Sequence, residues 1–142
     1  MVVPDFFKTK DQALGFLWAW GVLNTLIGVL FSRHRNTVLR NIAIQSAVWG
    51  AIDAVLAFAG RRDAAGAPAR GDDPRSAARR DRTILLVNAG LDIGYILGGV
   101  WLVRSANRRP DRVGMGLGFI IQGIFLFGLD SLLGWLFGRW TR

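Results

Sequence analysis

The chain has 142 residues, of which 51% are hydrophobic, with a mean hydropathy of +0.31 and a formal net charge of +8. Its charges are concentrated between four nearly uncharged runs, whereas a soluble domain carries charges every few residues on its exposed faces. This distribution excludes an ordinary soluble globular protein and predicts an integral membrane protein.

The residue types present exclude several classes of site. Without cysteine the chain forms no disulfide, iron–sulfur cluster or thiolate metal site, and its single histidine, His34, cannot supply a multi-histidine metal site. No cofactor is therefore predicted. The basic residues are 16 Arg and 2 Lys and flank the runs, which is the pattern of membrane anchoring rather than of nucleic-acid binding. The arginine bias favours a GC-rich bacterium and hence a bacterial inner membrane.

The four uncharged runs are each long enough to cross a bilayer as a helix, which takes about 20 residues. They cover residues 13–32, 41–60, 83–103 and 113–138. The short connections after the first and third runs predict two antiparallel hairpins. We therefore expect an all-α, four-helix transmembrane bundle forming a single domain over residues 1–142.

The segment 61–82 differs from the four runs in composition. It reads RRDAAGAPARGDDPRSAARRDR and shows no apolar periodicity, so we expect a flexible loop. Aromatic residues mark the ends of the runs. Phe6 and Phe7 are expected to anchor the chain at the membrane interface, and four tryptophans are expected to form an aromatic belt: Trp18, Trp101, Trp135 and Trp140.

The second and fourth runs share a pattern in which a glutamine precedes an aspartate by eight residues. The pairs are Gln45 with Asp53 and Gln122 with Asp130. The pattern suggests two helical-hairpin repeats, although two shared residues in an apolar background also fit coincidence.

Polar residues fall on one stripe of each predicted helix, because residues three or four apart share a helix face. At about 1.5 Å per residue, the three aspartates reach one depth of the bilayer and the two glutamines another. The candidate ligand- or ion-binding residues are therefore Asp92, Asp53, Asp130, Asn88, Asn24, Tyr95, Gln45 and Gln122.

No Lys, Arg or His lies within any of the four runs to neutralise the aspartates. An ionised Asp at mid-bilayer costs about 2.5–3.5 kcal/mol even on the mildest scale. Protonation, a bound cation or access of water would lower this free-energy cost. An arginine that reaches in from the membrane edge, such as Arg82 or Arg139, would also lower it. The structural alternative is that Asp, Asn and Gln hydrogen-bond across helices to fix the bundle.

The third run also carries glycines at four-residue spacing, on the face opposite its polar stripe. Gly90, Gly94 and Gly98 form a ridge of small residues that predicts close approach of another helix and offers an interface for a homo-oligomer.

Orientation follows from the distribution of basic residues. Four spans place both termini and the 61–82 segment on one side, with 11 basic residues against 7 on the other. The positive-inside rule favours cytoplasmic termini, and because the bias is weak dual topology stays open.

Three parts of the sequence carry a resemblance to a known family: Trp20 and Asn24 in the first run, LLVNAGLDIGYILGG in the third and GFIIQGIFLFGLDSLL in the fourth. They resemble a family of small bacterial four-helix membrane proteins of unknown function. The specific part is N-A-G-L-D-x-G-Y, which begins at Asn88. The 61–82 segment is longer than the family pattern suggests. The resemblance implies a fold and topology but no chemistry.

Three functions fit these residues. The first is a proton- or cation-coupled transporter or channel-like protein in which Asp53, Asp92 and Asp130 bind a proton or small cation. The second is a non-catalytic membrane scaffold or accessory subunit whose polar residues serve helix packing. An enzyme acting on lipid through aspartates and Tyr95 is third, and no motif supports it.

Overall fold

The computed structural model describes residues 5–142, which form four α-helices and one short 3₁₀ turn. The elements are α1 (Phe6–Phe31), α2 (Thr37–Arg70), α3 (Pro74–Arg104), α4 (Pro110–Phe137) and the turn Gly138–Trp140. All four α-helices are long and apolar enough to cross a membrane. The predicted all-α, four-helix transmembrane fold is confirmed, and the chain is a multi-pass membrane protein.

The helix boundaries follow local capping chemistry. The side chains of Asp5, Asn36 and Asp73 accept hydrogen bonds from backbone N–H groups in the first turns of α1, α2 and α3. Helix α2 ends at Gly71, whose φ of 72° is a left-handed conformation that glycine adopts without strain. Pro74 then begins α3, where its missing N–H leaves no intrahelical bond unmade.

The expectation of a flexible loop over 61–82 is wrong. Helix α2 has 34 residues and is about 50 Å long, well beyond the roughly 30 Å of hydrocarbon, and only residues 71–73 separate it from α3. Alanine has the strongest helix propensity, and its small side chain packs closely without producing a visible apolar periodicity. The buried side chains of the helical segments within 61–82 are four alanines, Ala64, Ala67, Ala77 and Ala78, together with Asp81.

The helices pair as two hairpins, α1 with α2 and α3 with α4, and the hairpins meet chiefly where α2 packs on α4. Each hairpin closes on a pair of glycines. A Cβ on Gly21 would lie 2.6 Å from the carbonyl oxygen of Gly50, and a Cβ on Gly116 would lie 2.6 Å from that of Gly99. Any larger residue at these positions would push the two backbones apart.

The predicted glycine ridge on α3 does not contact another helix of the same chain. A Cβ built on Gly90, Gly94 or Gly98 meets no described atom within 4 Å. The close contact is made instead by Gly99, because it is the residue that faces α4. A contact between the ridge and a second copy stays a prediction.

Aromatic packing joins the two chain ends at the side of the bundle that carries the α2–α3 turn. Phe6 is 1% exposed, and its ring centroid lies 5.1 Å from that of Phe137 and 5.7 Å from that of Trp140. Phe6 and Phe7 are therefore core residues and not interfacial anchors, because the extensions of α2 and α3 cover them. The predicted belt residues Trp18, Trp101 and Trp135 are exposed.

Candidate functional site

Three aspartates from three helices line one cavity of about 250 Å³ inside the bundle. Asp53 lies on α2, Asp92 on α3 and Asp130 on α4, and their exposed fractions are 5%, 3% and 8%. The other lining residues are mostly apolar: Leu17, Trp49, Ile52, Leu56, Asn88, Leu91, Tyr95 and Leu126.

Helical periodicity places these side chains. Trp49 and Asp53 are four residues apart on α2, and Leu126 and Asp130 are four apart on α4, so each pair shares a face. On α3, Asp92 is followed one turn later by Tyr95. Trp49 and Asp53 of α2 thus line the same cavity as Asp92 and Tyr95 of α3.

Two of the three carboxyl groups carry unpartnered oxygens. Asp53 Oδ2 and Asp92 Oδ2 are buried and accept no hydrogen bond from any residue in the range 5–142. No Lys, Arg or His is among the residues that line this cavity. An ionised carboxylate in such surroundings is costly, so an occupant that brings a proton or a positive charge would stabilise the site.

An aromatic cluster closes the side of the cavity nearer the short interhelical connections. The Trp49 and Tyr95 ring centroids are 4.9 Å apart at 69°, an edge-to-face arrangement. Phe119 stacks on Tyr95, with centroids 6.2 Å apart. Trp49 was not among the site residues predicted from the sequence, although its four-residue spacing from Asp53 places it on the same helix face.

A second cavity of about 360 Å³ adjoins the first and extends towards the end of the bundle that carries the α2–α3 turn. The two cavities share four lining residues: Leu17, Leu56, Asn88 and Asp130. The far part of the second cavity is lined by Lys10 and Asp81. The two cavities thus lead from the aspartates to a charged cluster near the helix ends, along a lining that between them is mostly apolar.

That charged cluster is built around Lys10, which is 6% exposed. Its Nζ lies 2.8 Å from Asp81 Oδ2 and 3.1 Å from Asp63 Oδ2. Arg70 and Arg80 also pair with Asp63. Sequence reasoning counted Lys10 only as a topology signal, because its partners are 53 and 71 positions away in the sequence.

Three of the eight predicted site residues do not line the cavity of the aspartates. Asn24 is half-buried on α1, and the Cβ and Cγ atoms of Gln45 pack against Gly118. Gln122 is 3% exposed, and both polar atoms of its amide have no hydrogen-bond partner in the described part of the chain. The cavity brings together the remaining five: Asp53, Asp92, Asp130, Asn88 and Tyr95.

Neither of the arginines considered as partners for the aspartates lines their cavity. Arg82 and Arg139 line a separate pocket near the C-terminal end of α4, together with Trp135. The Arg139 guanidinium carbon lies 4.6 Å from the centre of the Trp135 ring. Over residues 5–142, no group of three His, Cys, Asp or Glu is arranged to hold a metal ion.

Comparison with protein families gives a match for most of the chain. The family of unknown function DUF6992 matches residues 16–131, so the chain belongs to that family. The matched range contains all the candidate site residues. No curated protein and no solved structure matches this chain.

Proposed function

We propose that this protein is a proton- or cation-coupled transporter or channel-like membrane protein in which Asp53, Asp92 and Asp130 bind the cation. The observation that carries the proposal is the convergence of these three buried carboxyl groups on one cavity that no basic side chain lines. The protein leaves the charge of this site to be neutralised by a proton or cation from outside.

The adjoining cavity supports movement of the cation as well as binding. Asn88 and Asp130 line both cavities, and the outer one reaches the Lys10 cluster near the helix ends. A cation released by the aspartates would have this space as a route towards the charged groups at the helix ends. A site enclosed on every side by packed apolar residues would give no such path.

A membrane scaffold or accessory subunit is the alternative. Such a protein would use its polar residues as hydrogen-bonded links between helices. The unpartnered oxygens of Asp53 and Asp92, both in the cavity, favour cation binding over this role. The two proposals differ in what they expect of an amide at position 92.

The test is thermal unfolding of the detergent-solubilised protein across pH and across concentrations of NaCl and KCl. A ligand that binds only the folded state raises the unfolding temperature with its concentration. We expect wild type to respond to protons or to one of these cations, and Asp92→Asn to fold but lose the response. Asp111→Asn is the matched control, because Asp111 pairs with Arg109 outside the cavity.

Two outcomes would count against the proposal. If no change of pH or cation shifts the stability of wild type, or if Asp92→Asn responds as wild type does, then the site is not a cation site. If Asp92→Asn fails to fold while Asp111→Asn folds, the carboxyl group is structural and the scaffold takes its place.

The proposal extends to orientation and assembly. From the 11-to-7 distribution of basic residues, we place both termini and the α2–α3 turn in the cytoplasm of a bacterial cell. We assign the ridge of Gly90, Gly94 and Gly98 to contact with a second copy. Reporter fusions at both termini test the first part. Activity of an extracellular-only reporter at the C-terminus would contradict it, and activity of both kinds would indicate dual topology.

A further inference from the structure

We infer that the cavity of Asp53, Asp92 and Asp130 takes a small organic ammonium ion, held between the Trp49 and Tyr95 rings and the carboxyl groups. This inference rests on the proposed cation-binding function and names the class of ligand. It follows from the walls of the cavity, its aromatic rings, its size and its opening.

The walls suit a cation with alkyl groups better than an inorganic ion. Of the eleven lining residues, five are aliphatic: Leu17, Ile52, Leu56, Leu91 and Leu126. An inorganic cation that loses its water needs several oxygen ligands in their place, and within residues 5–142 no three His, Cys, Asp or Glu side chains are arranged to hold a metal ion. Alkyl groups on nitrogen gain by contact with the aliphatic wall, while the charge stays near the aspartates.

The rings add a second attraction that is specific to cations. The faces of Trp and Tyr attract ammonium groups, and aromatic walls are a common means of binding alkylated ammonium ions. Here each ring has a carboxyl group one turn away on its own helix, with Trp49 near Asp53 and Tyr95 near Asp92. The two rings contact each other edge to face, with centroids 4.9 Å apart, so both border the same part of the cavity.

Size also points to a small organic ligand. The cavity holds about 250 Å³, far more than a bare ion fills, yet it lies below the range of about 300–1,000 Å³ typical of sites for drug-sized molecules. An ion with a few alkyl groups matches this space.

The cavity is accessible from the side of the bundle as well as from its end. Its lining side chains Ile52, Leu56 and Leu91 are 42%, 63% and 56% exposed, so the space opens between α2 and α3 on an apolar surface. An alkylated cation can partition along this opening, whereas a hydrated inorganic ion would have to shed its water. Asp53 and Asp92, each more than nine-tenths buried with one unpartnered oxygen, form the floor.

Binding of matched probes to the detergent-solubilised protein tests the inference. The probes are choline, its uncharged carbon analogue 3,3-dimethyl-1-butanol, and NaCl and KCl at equal ionic strength, measured by isothermal titration and thermal unfolding. We expect choline to bind and stabilise wild type more strongly than the alcohol or either salt. Asp92→Asn should abolish the advantage of choline over its uncharged analogue.

Variants at the rings separate cation–π attraction from general packing. Trp49→Leu keeps an apolar side chain but removes the ring, and we expect a loss of choline affinity of about 5- to 30-fold. Trp49→Phe should recover part of it. Trp101→Leu is the control, because Trp101 is 65% exposed and lies outside the cavity, and it should bind choline as wild type does.

The outcomes distinguish this inference from the proposed function. If protons, Na⁺ or K⁺ act through Asp92 but choline does no better than its uncharged analogue, the ligand class is wrong and the proposed function stands. If no cation of any kind acts, both fail. If Trp49→Leu does not fold, two other measurements test the ligand class: choline binding to Trp49→Phe, and the comparison of choline with the alcohol on wild type.

Discussion

The protein buries charged side chains in two regions, which differ in whether the chain itself supplies the opposite charge. At the end that carries the α2–α3 turn, the Lys10 ammonium lies between Asp63 and Asp81, with Nζ–Oδ distances of 3.1 and 2.8 Å. In the membrane-spanning part, Asp53 and Asp92 are equally well buried, and their unpartnered oxygens face a cavity that no basic residue lines.

The difference separates a structural use of charge from a binding use. A buried charge that the chain itself compensates holds elements together, here the start of α1 with the extensions of α2 and α3. A buried carboxyl group without an internal partner depends on a proton or cation from outside, because solvation by lipid or apolar side chains does not replace water. The predictions below change one region at a time.

The largest effect is expected from Lys10→Met. This variant removes the ammonium group that lies 2.8 Å from Asp81 Oδ2, and leaves the Asp81 carboxylate, whose side chain is 12% exposed, with Arg80 Nε at 3.3 Å from its Oδ1 as the remaining partner. Removing one member of a buried ion pair costs roughly 3–5 kcal/mol, so we expect a large fall in the unfolding temperature. Lys8→Met is the control, because Lys8 is exposed. Equal stability of the two variants would show that the Lys10 cluster does not hold this end together.

An intermediate effect is expected from Gly116→Ala. The added Cβ would lie 2.6 Å from the Gly99 carbonyl oxygen, and such overpacking costs about 1–3 kcal/mol. Since α3 and α4 each supply an aspartate to the cavity, separating them should also weaken the response to cations. Gly94→Ala has open space around its new Cβ and should match wild type in both properties, as long as the protein is studied as a single copy.

A smaller effect on stability, with a large effect on binding, is expected from Asp53→Asn and Asp130→Asn. The amide has the shape of the carboxyl group and needs no neutralising partner, so each change should alter the free energy of unfolding by no more than about 1 kcal/mol. The stabilisation by protons or cations should fall sharply. Destabilisation as large as that of Lys10→Met would erase the difference between the two regions.

The smallest effect is expected at the N-cap of α3. Ser76 holds the pKa of the Asp73 carboxyl below its usual value through two hydrogen bonds. The larger effect comes from its side chain and the smaller from its backbone N–H, at 2.8 Å. The stability it contributes is complete above the usual pKa and is lost as pH falls below about 4. Asp73→Ala should therefore unfold at a slightly lower temperature than wild type at neutral pH, and this difference in unfolding temperature should shrink in acid. Asp73→Asn still caps the helix, so its unfolding temperature at neutral pH should lie between those of wild type and Asp73→Ala.

The sequence allowed the spans and the alignment of the aspartates to be predicted because both depend on local periodicity. Hydropathy marks the apolar length of each helix, and helical spacing places Trp49 with Asp53 and Asp92 with Tyr95. The same reasoning separated the glutamines, since Gln45 precedes Asp53 by eight residues, or about 12 Å of helix. Both glutamines were nevertheless included among the candidate site residues, and neither lines the cavity of the aspartates.

Features that depend on distant residues could not be predicted in this way. The helical extensions of α2 and α3 are stabilised by contact of small alanines with Phe6, and alanine-rich, arginine-rich composition is also common in loops. A ridge of glycines allows close approach but does not identify the helix that approaches, and the glycine that packs on α4 is Gly99, outside the predicted ridge. The partners of Lys10 lie more than 50 positions away.

Infrared difference spectroscopy of the carboxyl groups tests the central claim most directly, because it detects the protonation and ligation of aspartates themselves. The purified protein would be exchanged between buffers that differ only in pH, Na⁺, K⁺ or choline. The account predicts that the change in the carboxyl bands of wild type and Asp111→Asn contains a component that Asp92→Asn lacks. A spectrum that no cation or pH change alters through Asp92 would contradict it.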